Sequence, residues 1–249
     1  MDLGIAGKRA IVAASTSGLG LATARALARE GARVAICGRD LQRTREAAGE
    51  IGDNTIAFAC DLTVEGAPER FVRDARQDLG GCDILVANAG GPPPGTFATT
   101  DIDGYRAAFE LNCLASVAMC QVAIPYMREN KWGRVVAITS IGAKQPIGGL
   151  MASSVARAAL TSFLKITARE VAHDGITVNN VCPGLHTTAR LTNLHADNGL
   201  DALAAAIPAG KLGDPADFGR VVAFLCSEAA NYVNGVSLLV DGAAYEGLL

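Results

Sequence analysis

The sequence predicts a doubly wound α/β fold, one domain built on a parallel seven-stranded sheet, and three observations carry that expectation. Short apolar runs of buried-strand type alternate along the chain with longer stretches of helical spacing. A turn of small residues, Ala13-Ala14-Ser15-Thr16-Ser17-Gly18-Leu19-Gly20, joins the first run to its helix. No Ser/Pro-rich linker or break in composition divides the 249 residues, so 1–249 reads as a single domain.

Taken in order, Arg9 to Ala14 is a short apolar strand, and Leu21 to Glu30 carries apolar residues at helical spacing with Gly31 as its stop. Arg33 to Cys37 is the second strand, which completes a βαβ unit. Thr55 to Ala59 is the third strand, Val64 to Leu79 a helix, and Asp83 to Ala87 the fourth strand. A long helix runs from about Asp103 towards Met127, followed by a strand at Arg134 to Thr139. A helix from about Ser153 to Ala172 leads to a strand at Thr177 to Cys182. The last helix spans Pro215 to Ser227 and the last strand Ser237 to Val240. Helices of this length between strands give a parallel sheet covered on both faces.

Half the residues are hydrophobic, 19% are charged and the pI is about 5.6, which points to small-molecule partners and away from nucleic acid. Nothing at the start reads as a signal peptide, and no apolar run reaches the roughly twenty residues of a membrane span, so a cytoplasmic protein is expected. The cysteines form no C-x-x-C pair, and Cys37, Cys113, Cys120, Cys182 and Cys226 sit in apolar runs, as buried free thiols would. His173, His186 and His195 lack metal-ligand spacing, and no metal site is expected.

The small-residue turn carries the chemistry. Between a strand end and a helix start, free backbone N–H groups and the positive end of the helix dipole face outward, which suits the pyrophosphate of a dinucleotide. A second strand about twenty residues on is the context that raises a short glycine turn above an ordinary connection.

On these residues the chain resembles the short-chain dehydrogenase/reductase family, from Lys8 to about Gly242. Gly18-Leu19-Gly20 is similar to the end of the family's Thr-Gly-x-x-x-Gly-x-Gly turn, Asp61-Leu62 to its adenine-side pair, and Asn88-Ala89-Gly90 to its structural Asn-Ala-Gly. Asn112 falls where the family has a helix-kinking Asn, Ser140 where it has a strand-end Ser, and Pro183-Gly184 where it has the nicotinamide-side turn. Leu239-Val240-Asp241-Gly242 resembles the closing strand. The resemblance implies a Rossmann-type domain with cofactor contacts from Ala14, Ser15, Ser17 and the Gly18-Leu19-Gly20 turn. It also implies contacts from Asp61, Leu62, Asn88, Ala89 and Gly90, and from Arg157, Pro183, Gly184 and Thr188.

Two departures from the family pattern bear on function. Ala13 and Ala14 stand where the family has Thr and Gly, and an altered cofactor turn is expected if the backbone angle there is negative. The family's Tyr-x-x-x-Lys register gives Ser153-Ser154-Val155-Ala156-Arg157. In the family the lysine lowers the tyrosine pKa, and the phenol protonates the carbonyl oxygen as nicotinamide delivers hydride. A serine hydroxyl is shorter and far less acidic than a phenol, and a guanidinium is a permanent cation that cannot relay a proton.

The candidate catalytic residues are therefore Ser140, whose hydroxyl can donate to a developing oxyanion, with Ser153, Arg157 and Asn112. Arg157, one helical turn from Ser153, is read as pointing at cofactor hydroxyls, and Asn112 as chiefly structural. Lys144, on the loop after Ser140, and His186, at the mouth of the substrate region, are the candidate replacement acids. Tyr105, Tyr126, Tyr232 and Tyr245 fall at no matching position.

Gly38-Arg39 closes the second strand where NAD-specific sites hold a carboxylate on the ribose 2′-OH. A guanidinium there can pair with a 2′-phosphate, so NADP(H) is favoured over NAD(H). Gly90-Gly91-Pro92-Pro93-Pro94-Gly95 cannot be helix and is read as an extended wall beside the nicotinamide. Residues 184–213 are read as a substrate lid, with a small-residue segment at Asp201 to Ile207. The apolar helix from Asn112 to Ile124, with the helix bearing Ala156, Ala159, Leu160, Phe163 and Leu164, is expected to pair across a subunit interface. A homodimer or homotetramer through 103–127 and 153–172 follows from the resemblance.

Three readings result. The first is an NADP(H)-dependent oxidoreductase acting on a small carbonyl or activated double bond with an atypical proton donor, similar to 3-oxoacyl-acyl-carrier-protein reductase in framework. The second is a dinucleotide-binding protein without redox turnover, a sensor or oligomer partner. The third is a non-redox lyase in the same pocket.

Overall fold

In the computed structural model, which describes residues 2–194 and 199–248, all seven strands join one parallel sheet in the order β3-β2-β1-β4-β5-β6-β7. These are β1 (Arg9–Val12), β2 (Arg33–Gly38), β3 (Thr55–Ala59), β4 (Ile84–Ala87), β5 (Gly133–Ile138), β6 (Ile176–Pro183) and β7 (Ser237–Val240). Every pairing is parallel, and the strand order reverses between β1 and β4. Helices therefore leave the two strands on opposite sides, which opens a crevice at their C-terminal ends. The doubly wound expectation holds strand for strand.

The helices are α1 (Gly18–Arg29), α2 (Leu41–Ile51), α3 (Ala67–Leu79), α4 (Ile102–Phe109), α5 (Ala115–Glu129), α6 (Met151–Val171), α7 (Ala189–Leu194), α8 (Leu200–Ala205) and α9 (Pro215–Leu225). Two apolar cores form, one on each sheet face. Phe71, Val72, Met119, Leu160 and Leu164 from α3, α5 and α6 fill one. Leu27, Phe218 and Val222 from α1 and α9 fill the other. Both cores depend on inward strand residues such as Val12, Leu85 and Val135, which are fully buried as an all-parallel sheet requires.

α2 has no counterpart among the elements read from the sequence. Its buried stripe is only Thr44, Ala47 and Ala48, too weakly apolar to raise a periodic signal. The readable sign was its cap: the Asp40 carboxylate accepts from the Arg43 backbone N–H at 2.8 Å.

The long helix expected from Asp103 is broken into α4 and α5 by a π-helical turn, Glu110–Leu114, which holds Asn112. Together the three pieces make a helical stretch, Ile102–Glu129, apolar enough by composition to cross a bilayer. That corrects the expectation that no such run exists. Half of its most apolar 18 residues are buried within the fold, as in a core helix. Cys113 and Cys120, on the helix expected to pair across a subunit interface, are buried inside this chain. Large apolar residues left open on these helices are Ile102, Phe109, Leu114, Val155 and Ile166. All seven cysteines are buried and free, as read.

Candidate active site at the C-terminal edge of the sheet

The cofactor turn follows β1. Ser15 is fully buried, with its hydroxyl on the Val12 carbonyl at 2.7 Å and its N–H on the Cys37 carbonyl at 3.0 Å. Ser17 precedes α1 without capping it, so the first N–H groups of the helix keep no side-chain partner and point into the crevice. A Cβ on Gly20 would lie 2.7 Å from both the Ala14 carbonyl oxygen and Asn88 Nδ2, so only glycine lets the turn pack here. Leu19 packs into the core on the α9 side.

Ala14 overturns one expectation. Its φ is +46°, the left-handed region that costs a side chain, where a negative angle was assumed. The conformation is held from three sides. The Ala14 N–H donates to Cys37 Sγ at 3.4 Å, and Asn88 Nδ2 donates to the Ala13 and Ala14 carbonyls at 3.2 and 3.0 Å. Asn88 thus clamps the turn to the end of β4.

At the far end of β2, Arg39 is exposed and makes no ion pair among the described residues. Across from it the Asp61 carboxylate accepts from the Thr63 N–H and hydroxyl at 3.0 and 2.7 Å. Those bonds, with Arg39 nearby, hold its pKa below the ordinary range. Leu62 is buried beside it, while Ala89 packs against the core and Gly90 is exposed. Thr188 lies against the turn: a Cβ on Gly18 would meet its methyl at 3.6 Å. A dinucleotide fits these residues, since the uncapped helix start and the Gly20 cradle leave room and donors for its phosphates. A cleft of about 580 Å³ between α1 and α9 touches this turn only at Gly18 and Thr188, away from Ser140 and Arg157.

The reaction end lies past β4, β5 and β6. Ser140 Oγ accepts from the Gly142 N–H at 3.0 Å, capping a 3-10 turn, Ile141–Ala143, and leaving its own proton free to donate elsewhere. Asn112 Nδ2 donates to the Gly90 carbonyl at 2.7 Å, fixing the π turn to the wall after β4, while Oδ1 is buried without a partner. Arg157 is buried. Its Nη1 donates to the Ile138 and Thr139 carbonyls at 3.1 and 2.8 Å, and its Nε to Ser153 Oγ at 3.2 Å. Burial, then repulsion from Arg190, lowers its pKa to about 10, so it remains a cation at neutral pH. Gly184 follows Pro183 at the end of β6, in close contact with Asp241.

His186 is not at the mouth of the substrate region. It is buried, edge-on to Phe218 with ring centroids 5.2 Å apart, and Nδ1 lies 3.2 Å from the Gly184 carbonyl. Desolvation lowers its pKa, so the ring is neutral and packed. Lys144 is half-buried on the loop after Ser140, its Nζ 5.2 Å from the Tyr245 ring centroid.

Sequence reasoning missed three residues that the fold brings here. Ser154, next to the one chosen, has a buried and unpartnered hydroxyl close to Ser140: a Cβ on Gly142 would touch both oxygens, at 3.2 and 3.3 Å. Arg190 on α7 reaches back to the wall, donating to the Gly91 and Pro92 carbonyls at 3.0 and 2.9 Å. Tyr245 comes from the far end of the chain to Lys144. Of the three, only Ser154 had a local signal, its place one residue after Ser153. His195, and residues 195–198 of the lid, lie outside the described residues.

An uncapped helix start at a strand-order reversal, with hydroxyls and a buried cation past the neighbouring strand ends, defines a dinucleotide-binding α/β protein. Comparison narrows the class. The family model described as enoyl-(acyl carrier protein) reductase matches residues 13–243. Dehydrogenase/reductase SDR family member 4 from Oryctolagus cuniculus is 34% identical over 245 residues, covering 96% of this chain and 94% of that protein. The 3-oxoacyl-acyl-carrier-protein reductase of Vibrio cholerae is 31% identical over 243 residues, 98% of this chain and 99% of that one. The crystal structure of L-sorbose reductase from Gluconobacter frateurii with NADPH and L-sorbose superposes with a TM-score of 0.94 at 33% identity, covering 100% of both chains. The chain belongs to the short-chain dehydrogenase/reductase family.

Proposed function

We propose that this protein is an NADP(H)-dependent reductase of a small carbonyl or activated double bond whose proton donor is not a phenol. The observation that carries the reading is the pairing of an exposed, unpaired Arg39 at the end of β2 with Ser140, Ser153 and Arg157 past β5. The NADPH held by the sorbose reductase, a full-length match, supports the cofactor choice.

When bound, NADPH supplies hydride. The Ser140 hydroxyl, already fixed as an acceptor from Gly142, donates to the substrate oxygen on which charge develops. Arg157 holds a permanent positive charge beside it, and Ser153 fixes the angle of that guanidinium. The Lys144 ammonium is the titratable donor on the same loop and takes its proton back from water. Assembly through α4–α6 is proposed as a dimer or tetramer, supported by exposed Leu114, Val155 and Ile166.

Calorimetry should show NADPH binding more tightly than NADH, with Arg39→Ala erasing most of the difference; equal affinity in the unaltered protein would overturn the cofactor assignment. Turnover is tested by NADPH absorbance against a panel of ketones, aldehydes and enones. The second reading, dinucleotide binding without turnover, is favoured by the serine at position 153 and would be supported by tight NADPH binding with no oxidation by any compound.

A further inference from the structure

Two guanidinium groups lie close enough past the strand ends to repel each other, Arg157 buried and Arg190 exposed, with no carboxylate paired to either among the described residues. Arg157 spends Nη1 and Nε on the Ile138 and Thr139 carbonyls and the Ser153 hydroxyl, and its Nη2 makes no hydrogen bond among the described residues. Arg190 spends both terminal nitrogens on the Gly91 and Pro92 carbonyls, and its Nε makes no bond among the described residues. The first group sits past the end of β5, the second past the end of β4. These strands are adjacent and parallel, roughly 4.8 Å apart as such pairs are, which sets the two cations near one another at the same sheet edge. The approach depends on Gly91, where a Cβ would come 2.5 Å from Arg190 Nη2.

Carbonyl dipoles satisfy individual N–H groups but do not cancel net charge, and a buried cation is costly unless an anion neutralises it. Lys144, on the neighbouring loop, adds positive charge. Among the described residues no ion pair includes Arg157, Arg190 or Lys144. The unbonded edges, Nη2 of one guanidinium and Nε of the other, are the donors a planar carboxylate accepts.

We propose that Arg157 and Arg190 together hold a carboxylate of the substrate, which makes the substrate class a small oxo or unsaturated carboxylic acid. This rests on the reductase reading above and names its substrate class. Arg190 is then the specificity-determining residue, because its bonds to the Gly91 and Pro92 carbonyls hold its guanidinium past the end of β4, beside that of Arg157.

The test compares phenylglyoxylate with its methyl ester in NADPH oxidation, and benzoate with benzamide in calorimetric titration of the protein saturated with NADP+. The acid should exceed the ester in kcat/KM by about tenfold or more, the ratio expected from a charge-assisted pair. Arg190→Met should collapse that ratio through KM, and Arg190→Lys should restore part of it. Benzoate should bind where benzamide does not, and Arg190→Met should abolish the binding. An ester reduced as well as the acid, with benzoate binding indifferent to Arg190→Met, overturns the proposal. So does a loss of NADPH affinity in Arg190→Met without benzoate, because the guanidinium would then serve the cofactor. If neither compound oxidises NADPH, the reductase reading has failed on this pair while the titration still decides the anion site. Arg190-dependent benzoate binding supports the site, and absence of binding overturns it.

Discussion

The two edges of the sheet treat their cations in opposite ways. At the N-terminal edge the guanidinium groups mostly meet a carboxylate, Arg76 being held over the Tyr126 ring instead. Arg9 forks onto Asp83 through Nε and Nη2 at 2.7 and 2.6 Å, and Arg128 and Lys131 share Asp174. Arg134 lies 3.7 Å from Glu228 while stacking on Trp132. At the C-terminal edge Arg157 and Arg190 meet neutral oxygens and, among the described residues, no carboxylate. The difference separates structure from function: charge that only holds the fold together is neutralised within the fold, and charge kept for a ligand is left uncompensated until the ligand arrives.

The sharpest way to break the contrast is to give the C-terminal edge a phenol acid. Ser153→Tyr with Arg157→Lys should raise ketone reduction by about 10²–10⁴-fold, the range that a positioned general acid contributes, measured as kcat with NADPH in excess. An unchanged rate would mean that proton delivery is already efficient by the Lys144 route.

At the other edge the effect is on stability. Arg9→Met leaves Asp83 buried with its strongest partner gone and should cost about 1–3 kcal/mol in urea denaturation. Burial pushes the Asp83 carboxyl up, but the Arg9 hydrogen bonds and charge outweigh it, so the folded pKa lies below the ordinary value. Its contribution is therefore complete above about pH 3.9 and disappears as pH falls through the folded value. In Arg9→Met the acid limb of the stability curve should move to higher pH; an unmoved limb would show that this pair does not set it.

A smaller effect separates His186 from catalysis. Its pKa is lowered by burial, so the unfolded chain takes up the proton first, and stability is complete above about pH 6.5 and declines as pH falls towards the folded value. His186→Phe should flatten stability between about pH 5 and 7, whatever it does to the absolute value, and should not remove a limb from the pH–rate profile. Loss of such a limb would return the ring to proton transfer.

The smallest change is at the cofactor turn. A left-handed alanine costs about 1–2 kcal/mol and glycine in its place loses about 0.5–1 kcal/mol more chain entropy, so Ala14→Gly should stabilise by roughly 0.5–1 kcal/mol. A lower melting temperature in Ala14→Gly would mean that the methyl group contributes packing the turn needs.

The sequence by itself determined the sheet and its strands, because a strand buried on both faces must be a short unbroken apolar run, and Arg9–Val12 or Ile84–Ala87 can be read as nothing else. The turn that holds Gly20 is legible from its place between a strand and a helix, whereas Asn112 and Ser140 are placed by the family resemblance, and the break in the helix at Asn112 comes only from the structure. Tertiary structure alone decided what depended on contacts between distant segments. Ala14 takes a positive φ because Asn88 and Cys37 hold it there, and the burial of His186 is decided by Phe218 on another element. Arg190 read as one more lid residue until the fold set α7 against the wall after β4. Its meeting with Arg157 could not be read from either segment, since charge complementarity is a property of distances in space and local spacing in the chain does not encode them.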